Sequence, residues 1–210
     1  MDKTVASFGV QRFWEERAQT RMVGVEYLKN NGQCLNVFDL FAGNGEGLAR
    51  YYKQDFLFYI SNDKEKTAPT SYHLDAMKCV ETVPEILDAD LIDFDAYGMC
   101  NLLVRKFIER KAKGDHFPVV ICTTNALGLG LKRCNKIERI KRLKKFQFLN
   151  DDQIEKFGEK PYFDLKGLEK TFWSNISEAF NLRYEIVEML TSKNGNFVFS
   201  TIALLGRKDA

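Results

Sequence analysis

The fold of this chain is decided by residues 35–47, which read LNVFDLFAGNGEG. The first seven residues form an apolar run of strand length, the next six contain three glycines, and residues 48–52 restart a helical pattern. A strand, a glycine loop and a helix in this order make the first half of a βαβ unit. The stretch therefore predicts a sheet of mostly parallel strands with helices on its faces.

The rest of the chain continues this alternation. Further strands are predicted at residues 56–61, 72–74, 89–94 and 118–124, and helices at 9–30 and 101–113. Near the C-terminus, strand-like runs at 183–190 and 197–205 flank an Asn-Gly pair, the strongest short-range signal for a hairpin. We predict an α/β, doubly wound, mostly parallel sheet with a C-terminal antiparallel hairpin. It forms one domain over residues 1–210, in which residues 1–34 are an N-terminal helical extension.

Composition places the chain among soluble globular proteins. It has 210 residues, of which 45% are hydrophobic and 29% charged, and its net charge is +2. No apolar run approaches the roughly 20 residues that cross a bilayer, and the N-terminus lacks the apolar core of a signal peptide. The five cysteines are dispersed and, with two histidines, lack metal-site spacing. We therefore expect a cytoplasmic protein with reduced thiols, no bound metal and no membrane partner.

The glycine loop lies where doubly wound sheets bind ligands, beyond the carboxyl ends of the strands. Its G-x-G-x-G spacing differs from the G-x-G-x-x-G of dinucleotide sites, which disfavours a nicotinamide-dependent oxidoreductase. Asp39 lies inside the strand, four residues before Gly43, where a carboxylate repels a pyrophosphate and suits a cationic ligand. The alternative is a plain structural turn, which an isolated glycine-rich loop forms roughly half of the time.

Carboxylates also end the next predicted strands. Asp63 follows Asp39 by 24 residues, and an acid at this place accepts hydrogen bonds from both ribose hydroxyls of an adenosine. Asp75 is predicted to reach the exocyclic amine of the adenine. For Asp63 the alternative is a solvated Asn-Asp turn, and for Asp75 it is a helix N-cap.

The segment at residues 90–98, DLIDFDAYG, places three acids in a strand that is otherwise fit for burial. Buried carboxylates are costly unless they are paired or hydrogen-bonded. Asp95, the last of the three, is predicted to face the pocket and accept a hydrogen bond from a substrate amine. Tyr97 offers a ring on which a planar base can stack. The alternative is a turn with a surface tyrosine.

Two of these segments resemble known families. Residues 37–45 resemble motif I of class I methyltransferases, which use S-adenosyl-L-methionine (SAM). The Asn62-Asp63 pair and residues 90–98 resemble the tRNA guanine dimethyltransferases, which methylate the exocyclic amine of guanine and carry D-x-D-P-F-G after a strand. The positions that fit this family are Asp93, Asp95, Tyr97, Gly98 and the run Thr123-Thr124-Asn125. The resemblance covers about residues 35–130.

Two features depart from that family. Ala96 stands where the family has proline, which loosens the expected loop. Only 11 residues separate Asp63 from Asp75, fewer than a parallel crossover usually needs. We therefore expect the helix between these two positions to be short or missing.

The resemblance implies a Rossmann-like class I methyltransferase fold, SAM as the cofactor, and methyl transfer to an exocyclic amine of a nucleic-acid base. RNA is favoured over DNA, with tRNA guanine as the target and tRNA processing as the role. Asp95 and Tyr97 would be the catalytic residues. The predicted cofactor-binding residues are Asp39, Phe41, Ala42, Gly43, Asn44, Gly45, Asn62, Asp63, Asp75, Ala76 and Asp93.

A basic stretch supplies a candidate surface for nucleic acid. It contains eight Lys and Arg residues within 14 positions and one acid, Glu138, along an apolar spine of roughly helical spacing. A phosphate backbone would be attracted to such a helix, and the alternative is a solvated amphipathic helix. The predicted nucleic-acid-binding residues are Lys132, Arg133, Lys136, Arg139, Lys141, Arg142, Lys144 and Lys145.

Two other functions stay open at this point. One is a SAM- or nucleic-acid-binding module that keeps the fold without catalysis, which Ala96 and the short segment between Asp63 and Asp75 favour. The other is a methyltransferase that acts on a small amine or a protein. The sequence leaves the methyl acceptor and the oligomeric state open.

Overall fold

The computed structural model describes residues 14–33, 35–43, 58–95, 98, 100–114, 116–131, 134–146, 148–159 and 164–209. These residues form a six-stranded sheet of order β2-β1-β3-β4-β6-β5. Its strands are β1 (Asn36–Asp39), β2 (Phe58–Ser61), β3 (Leu91–Phe94), β4 (Val119–Asn125), β5 (Leu182–Thr191) and β6 (Val198–Arg207). Strands β1 to β4 pair in parallel, and β6 lies antiparallel between β4 and β5.

The order of strand addition reverses next to β1. The chain passes from β1 to β2 on one side and returns to β3 on the other. The carboxyl ends of β1 and β3 therefore flank the switch point at which such sheets bind ligands. In the register of these two strands, Asp39 lies opposite Asp93. The predicted doubly wound, mostly parallel sheet with a C-terminal antiparallel hairpin is confirmed.

Helices cover both faces of the sheet. The α-helices are α1 (Trp14–Asn30), α2 (Ala76–Thr82), α3 (Asn101–Gly114), α4 (Leu127–Leu131), α5 (Lys136–Phe146), α6 (Asp151–Glu159) and α7 (Leu165–Phe180), and a 3-10 helix spans Pro84–Leu87. The basic helix α5 begins at Lys136 because the Asn135 side chain accepts a hydrogen bond from the N–H of Glu138 at 2.9 Å, an N-cap. No helix in these described ranges is long and apolar enough to cross a membrane.

Helix α1 packs closely on one face of the sheet. Its Val25 and Leu28 lie in a buried cluster with Val37 of β1 and Leu91 of β3. Gly24 packs against the same face, and a Cβ at Gly24 would be 3.2 Å from side chains of β4 and β6. The missing side chain therefore lets α1 approach the sheet, and the turn of α1 that precedes Gly24 lies near the carboxyl end of β3.

The opposite face carries the larger core, to which α2, α3 and α7 contribute. Phe38 of β1 and Ile92 of β3 are fully buried in one cluster with Phe107 of α3 and Trp173 of α7. Burial of each such side chain stabilises the fold by about 1.5–3 kcal/mol relative to leaving it exposed. With one face under α1 and the other under these helices, the carboxyl edge of the parallel strands lies between the two helical layers.

The strand predicted at residues 72–74 is reduced to an isolated parallel bridge between Asn62 and Tyr72. The ring of Tyr72 lies against Phe38, with centroids 6.5 Å apart, and its hydroxyl donates to Glu85 at 2.8 Å. The physical reason is the short connection, since the 11 residues between Asp63 and Asp75 do not hold a crossover helix. The strand predicted from Ala89 begins at Leu91.

Candidate functional site

Asp39 ends β1 at the switch point and is buried, with 3% of its surface exposed. Its carboxylate accepts hydrogen bonds from the Tyr59 hydroxyl at 2.8 Å and from the N–H of Phe41 at 3.2 Å. Burial raises the pKa of Asp39, and the Asp93 carboxylate on the neighbouring strand raises it further. Across the described residues, no cation lies within salt-bridge distance of Asp39, so neutral donors hold this carboxylate.

Asp63, directly after β2, ties two loops of the carboxyl edge together. Its Oδ2 accepts a hydrogen bond from the N–H of Gly43 at 3.1 Å, and its Oδ1 accepts one from the N–H of Glu65 at 2.8 Å. Gly43 has a φ of +59°, a left-handed conformation that favours glycine, and a Cβ there would meet nothing within 4 Å. Gly43 of the glycine loop therefore contacts Asp63 through its N–H, and the space where its side chain would lie is open.

Asn62 joins three segments at the same edge. Its amide nitrogen donates to the carbonyls of Leu40 at 3.2 Å and Leu74 at 3.1 Å, and its amide oxygen accepts from the N–H of Leu74 at 3.0 Å. The N–H of Ala42 donates to the carbonyl of Asn62 at 3.0 Å. Phe41, next to Ala42, is partly buried against the larger core. The loop after β1 is thus fixed on one side before any ligand is considered.

Asp75 is exposed and caps α2. Its carboxylate accepts a hydrogen bond from the N–H of Met77 at 2.9 Å, and Ala76 is the first residue of the helix. This is the geometry of an N-cap, the alternative that the sequence left open for Asp75. Contact of Asp75 and Ala76 with an adenine stays a prediction.

Asp93 forms a buried, bidentate ion pair with Arg21 of α1. Arg21 Nε donates to Asp93 Oδ2 at 3.0 Å, and Arg21 Nη2 donates to Oδ1 at 2.7 Å. The same Nη2 donates to the Thr124 hydroxyl at 3.0 Å, and both charged side chains have no exposed surface. Because Arg21 engages both carboxylate oxygens, Asp93 is bound to the scaffold, and its contact with a cofactor stays a prediction.

Asp95 lies at the carboxyl edge just after β3 and is 8% exposed. Arg17, one helical turn before Arg21, forms an ion pair with its Oδ2, and Arg21 Nη2 lies 3.7 Å from its Oδ1. The predicted catalytic acid is therefore held between two guanidinium groups of α1. Neither arginine is among the predicted site residues. The signal that points to them is their spacing of four residues, which puts both on one face of a helix.

Comparisons with known proteins address the fold. No protein-family model matches the chain, and no curated protein matches it significantly. Among solved structures, the chain is similar to the plantazolicin methyltransferase BpumL in complex with SAH, with a TM-score of 0.50 and 14% identity over 98% of this chain and 91% of that one. A SAM-dependent methyltransferase from Archaeoglobus fulgidus gives a TM-score of 0.49 at 11% identity, over 94% and 99% of the two chains. Ribosomal protein L11 methylase from Lactobacillus delbrueckii subsp. bulgaricus gives 0.48 at 14% identity, over 90% and 79%.

The chain has the class I methyltransferase fold. At these identities the likeness is one of fold, and it carries over neither the substrates nor the partners of the proteins compared. The finer resemblance to tRNA guanine dimethyltransferases gains no support from these structures. The site of a methyltransferase fold must therefore be argued from the residues of this chain.

Behind the carboxyl edge of this methyltransferase fold lies a buried polar network that the sequence did not indicate. Asn125 ends β4, and its amide nitrogen donates to Glu169 of α7 at 3.1 Å and to the Asn101 side chain at the start of α3. Glu169 also accepts hydrogen bonds from Trp173 at 3.0 Å and Ser200 at 3.3 Å. Burial raises the pKa of Glu169 to about 7, although these hydrogen bonds lower it. The network joins α3, β4, α7 and β6 on the larger-core face.

Three basic residues of helix α5 form ion pairs with nearby acids. Lys136 contacts Glu159 at 2.9 Å, Arg142 contacts Glu138 at 2.8 Å and Lys144 contacts Asp151 at 3.5 Å. Arg139 donates to the backbone carbonyls of Gly158 and Cys134, while Lys141 and Lys145 are exposed. These pairs lower the net positive charge of the outer face, and binding of nucleic acid by α5 stays a prediction.

Several predicted site residues lie outside the described residues. They are Asn44 and Gly45 of the glycine loop, Tyr97 after β3, and Lys132 and Arg133 before α5. In the part of the chain that is described, no group of three or more His, Cys, Asp or Glu side chains could hold a metal ion.

Proposed function

We propose that this protein is a SAM-dependent methyltransferase that transfers a methyl group to an exocyclic amine of a nucleic-acid base, with RNA favoured over DNA. The observation that carries the proposal is the arrangement of Asp39, Gly43 and Asp63 at the switch point of a methyltransferase fold. The choice of acceptor rests on the resemblance of residues 90–98 to the tRNA guanine dimethyltransferases.

The side chains around the glycine loop suit SAM as a ligand. Asp39 is a buried carboxylate with a raised pKa, so a ligand that brings positive charge favours its ionised form. The ammonium and sulfonium groups of SAM are such charges. Each carboxylate oxygen of Asp63 can accept a further hydrogen bond, which leaves acceptors for a ribose diol. When bound, SAM would supply the methyl group that is transferred and would leave as S-adenosylhomocysteine, while the acceptor amine would lose one proton to solvent.

The chain's own part in the transfer is positioning. Asp95 would accept a hydrogen bond from the acceptor amine and so orient the nitrogen lone pair. Arg17 and Arg21 hold the Asp95 carboxylate in one orientation at the edge of the sheet. Alignment of reacting atoms in a bound complex can lower the activation free energy by several kcal/mol. A rigidly held Asp95 carboxylate, which would accept the hydrogen bond from the amine, suits this reaction.

A binding module without catalysis is the second candidate, and the ion pair between Arg17 and Asp95 favours it. A carboxylate oxygen that already binds a guanidinium is less available to an amine. In this candidate the fold binds SAM or a nucleic acid, and no methyl group is transferred.

Isothermal titration calorimetry with SAM tests the cofactor part of the proposal. D63A should weaken SAM binding about tenfold to a hundredfold, because a hydrogen bond to a charged group contributes about 1.5–3 kcal/mol. D88A removes an exposed acid just before β3, at the amino edge of the sheet, and serves as the matched control with unchanged binding. Absence of SAM binding by the wild type would refute the proposal, and equal affinity of D63A would refute the role of Asp63.

Transfer of a radiolabelled methyl group from SAM to unmodified tRNA tests the acceptor part. D95A should lower the rate about a hundredfold or more while SAM affinity stays unchanged, because the lost contact acts on the acceptor. Preferential labelling of a protein or a small amine would contradict the nucleic-acid assignment. SAM binding without transfer to any of the three acceptors would support the second candidate.

A further inference from the structure

A groove of about 630 Å³ opens on the larger-core face, away from the glycine loop. Its walls are the first turns of α3, the C-terminal turn of α5 with the segment after it, and the C-terminal half of α7. A volume of this size is typical of small-molecule and cofactor sites, which are roughly 300–1,000 Å³. The lining of the groove includes Asn101, Arg105, Lys144, Lys145, Phe148 and Asn175.

Hydrogen bonds fix the wall of the groove formed by residues 148–150. Asn175 of α7 donates to the carbonyl of Phe148 at 2.6 Å and to the amide oxygen of Gln153 at 2.7 Å. Gln153 in turn accepts a hydrogen bond from the N–H of Asn150 at 3.0 Å. The wall is therefore tied to a core helix, which reduces the ordering cost when a ligand binds.

The groove presents a prepared site for an anion. The Arg105 guanidinium lies 4.3 Å from the centre of the Phe148 ring, and its Nε donates to Glu109 at 3.1 Å. Within the described residues, its two terminal nitrogens make no hydrogen bond, and they form the planar fork that matches a phosphate. Lys144 and Lys145 line the facing wall, and Glu178 is the acid in the lining.

One end of the groove lies at the carboxyl edge of the sheet. Asn101 lines it and is hydrogen-bonded to Asn125, the last residue of β4, at the carboxyl edge of the sheet. Asp95 precedes Asn101 by six residues and lies at the same edge. A strand that fills the groove therefore reaches the carboxyl edge, where Asp95 is held by α1 from the other face of the sheet.

We propose that this groove binds the phosphate backbone and a base of single-stranded nucleic acid next to the methylated nucleotide. This inference rests on the proposed function and places the phosphate contacts in the groove, on Arg105 and Lys145, instead of along the outer face of α5. The Arg105–Phe148 pair is a platform for a base, since stacking on aromatic rings and guanidinium planes accepts every base. An unpaired strand presents the exocyclic amine without the cost of flipping its base out of a duplex.

Fluorescence anisotropy of the full chain with a labelled single-stranded RNA of about ten nucleotides tests the groove. R105Q/K145Q removes two proposed phosphate contacts, so the slope of log affinity against log salt should fall by about 1.4, or about 0.7 per contact. That slope corresponds to roughly 25-fold weaker binding at 0.1 M salt. K166Q/K170Q also removes two positive charges, from exposed positions of α7 outside the groove lining, and it should bind RNA as the wild type does.

Other measurements separate this inference from the proposed function. Equal weakening by both double variants, or no weakening by R105Q/K145Q, would overturn the groove while SAM binding by calorimetry stays intact. SAM binding without binding of RNA or of the same DNA sequence would also overturn it. If R105Q lowers the thermal midpoint, R105K replaces it, because it keeps the charge and loses the fork. R105K should then weaken RNA binding, and RNA affinity equal to that of the wild type would contradict the guanidinium contact.

Discussion

Replacement of Arg21 by methionine should destabilise this protein strongly. The change leaves Asp93 buried without its cation, next to Asp39, another buried carboxylate, in the register of β1 and β3. Removal of one partner of a buried pair costs about 3–5 kcal/mol, because the remaining charge has lost its solvent and its partner. For a chain of this length, each kcal/mol lowers the midpoint by about 2–4 °C, so the expected decrease is roughly 6–20 °C.

Thermal and urea unfolding of a small set of variants measures this effect. The double variant R21M/D93N should recover most of the loss, because it removes both charges from the core. R142M breaks the ion pair between Arg142 and Glu138, whose side chains are 39% and 49% exposed, respectively. This change should lower the free energy of unfolding by less than about 1 kcal/mol. If R21M is no less stable than R142M, or if the double variant is the least stable, the buried pair does not hold α1 on the sheet.

The remaining predictions concern the polar network and the approach of α1. Burial raises the pKa of Glu169 to about 7 from its ordinary 4.5, so the folded state binds this proton more tightly than the unfolded state does. The free energy of unfolding should therefore fall as pH rises from about 4.5 through 7. E169Q should remove that part of the pH dependence, which urea unfolding at pH 5 and pH 8 measures. If the free energy of unfolding differs between pH 5 and pH 8 by as much in E169Q as in the wild type, the prediction is wrong. G24V should lower the free energy of unfolding by about 1–3 kcal/mol, because even an added Cβ would lie 3.2 Å from three side chains and valine adds two further methyl groups. G24A, which also gains about 1 kcal/mol of helix propensity, should be much closer to neutral, and thermal unfolding that ranks the two variants the other way would refute the contact.

The elements that sequence predicts well here are those with a local physical cause. The run at residues 35–41 is largely apolar and is followed by a glycine loop, and Asn194-Gly195 favours a tight turn. The strand β1 and the hairpin of β5 and β6 therefore follow from neighbours in the chain. The acids at residues 39, 63 and 95 reach one edge because parallel strands share the direction of their carboxyl ends. The position of these acids can therefore be predicted from the order of the elements along the chain, without knowledge of any long-range contact.

The contacts that sequence does not predict depend on partners far apart in the chain. Arg21 and Asp93 are 72 residues apart, and Asn125 and Glu169 are 44 apart. A mostly polar helix such as α1 has no apolar stripe to indicate which side meets the sheet, and Gly24 reads as a weak helix position until its neighbours are known. The strand expected at residues 72–74 is reduced to an isolated bridge for a different, local reason, because its connection is too short for a crossover.

The charges at the carboxyl edge are divided between its two halves. Three acids, Asp39, Asp93 and Asp95, lie near the switch point. Arginines of α1 form ion pairs with Asp93 in β3 and with Asp95 just after it. The acid of β1 is left with a hydroxyl and an N–H, and its pKa is raised by burial first and by Asp93 second. A site that balanced all three acids with arginine would have little attraction for a cationic ligand, and one that balanced none would bury three unpaired carboxylates, each at a cost in stability. Pairing of the β3 acids alone keeps the attraction for positive charge at β1, on the side of Asp63, where the proposed function requires a sulfonium and an ammonium. It also holds Asp95 rigid on the side where the acceptor amine would lie.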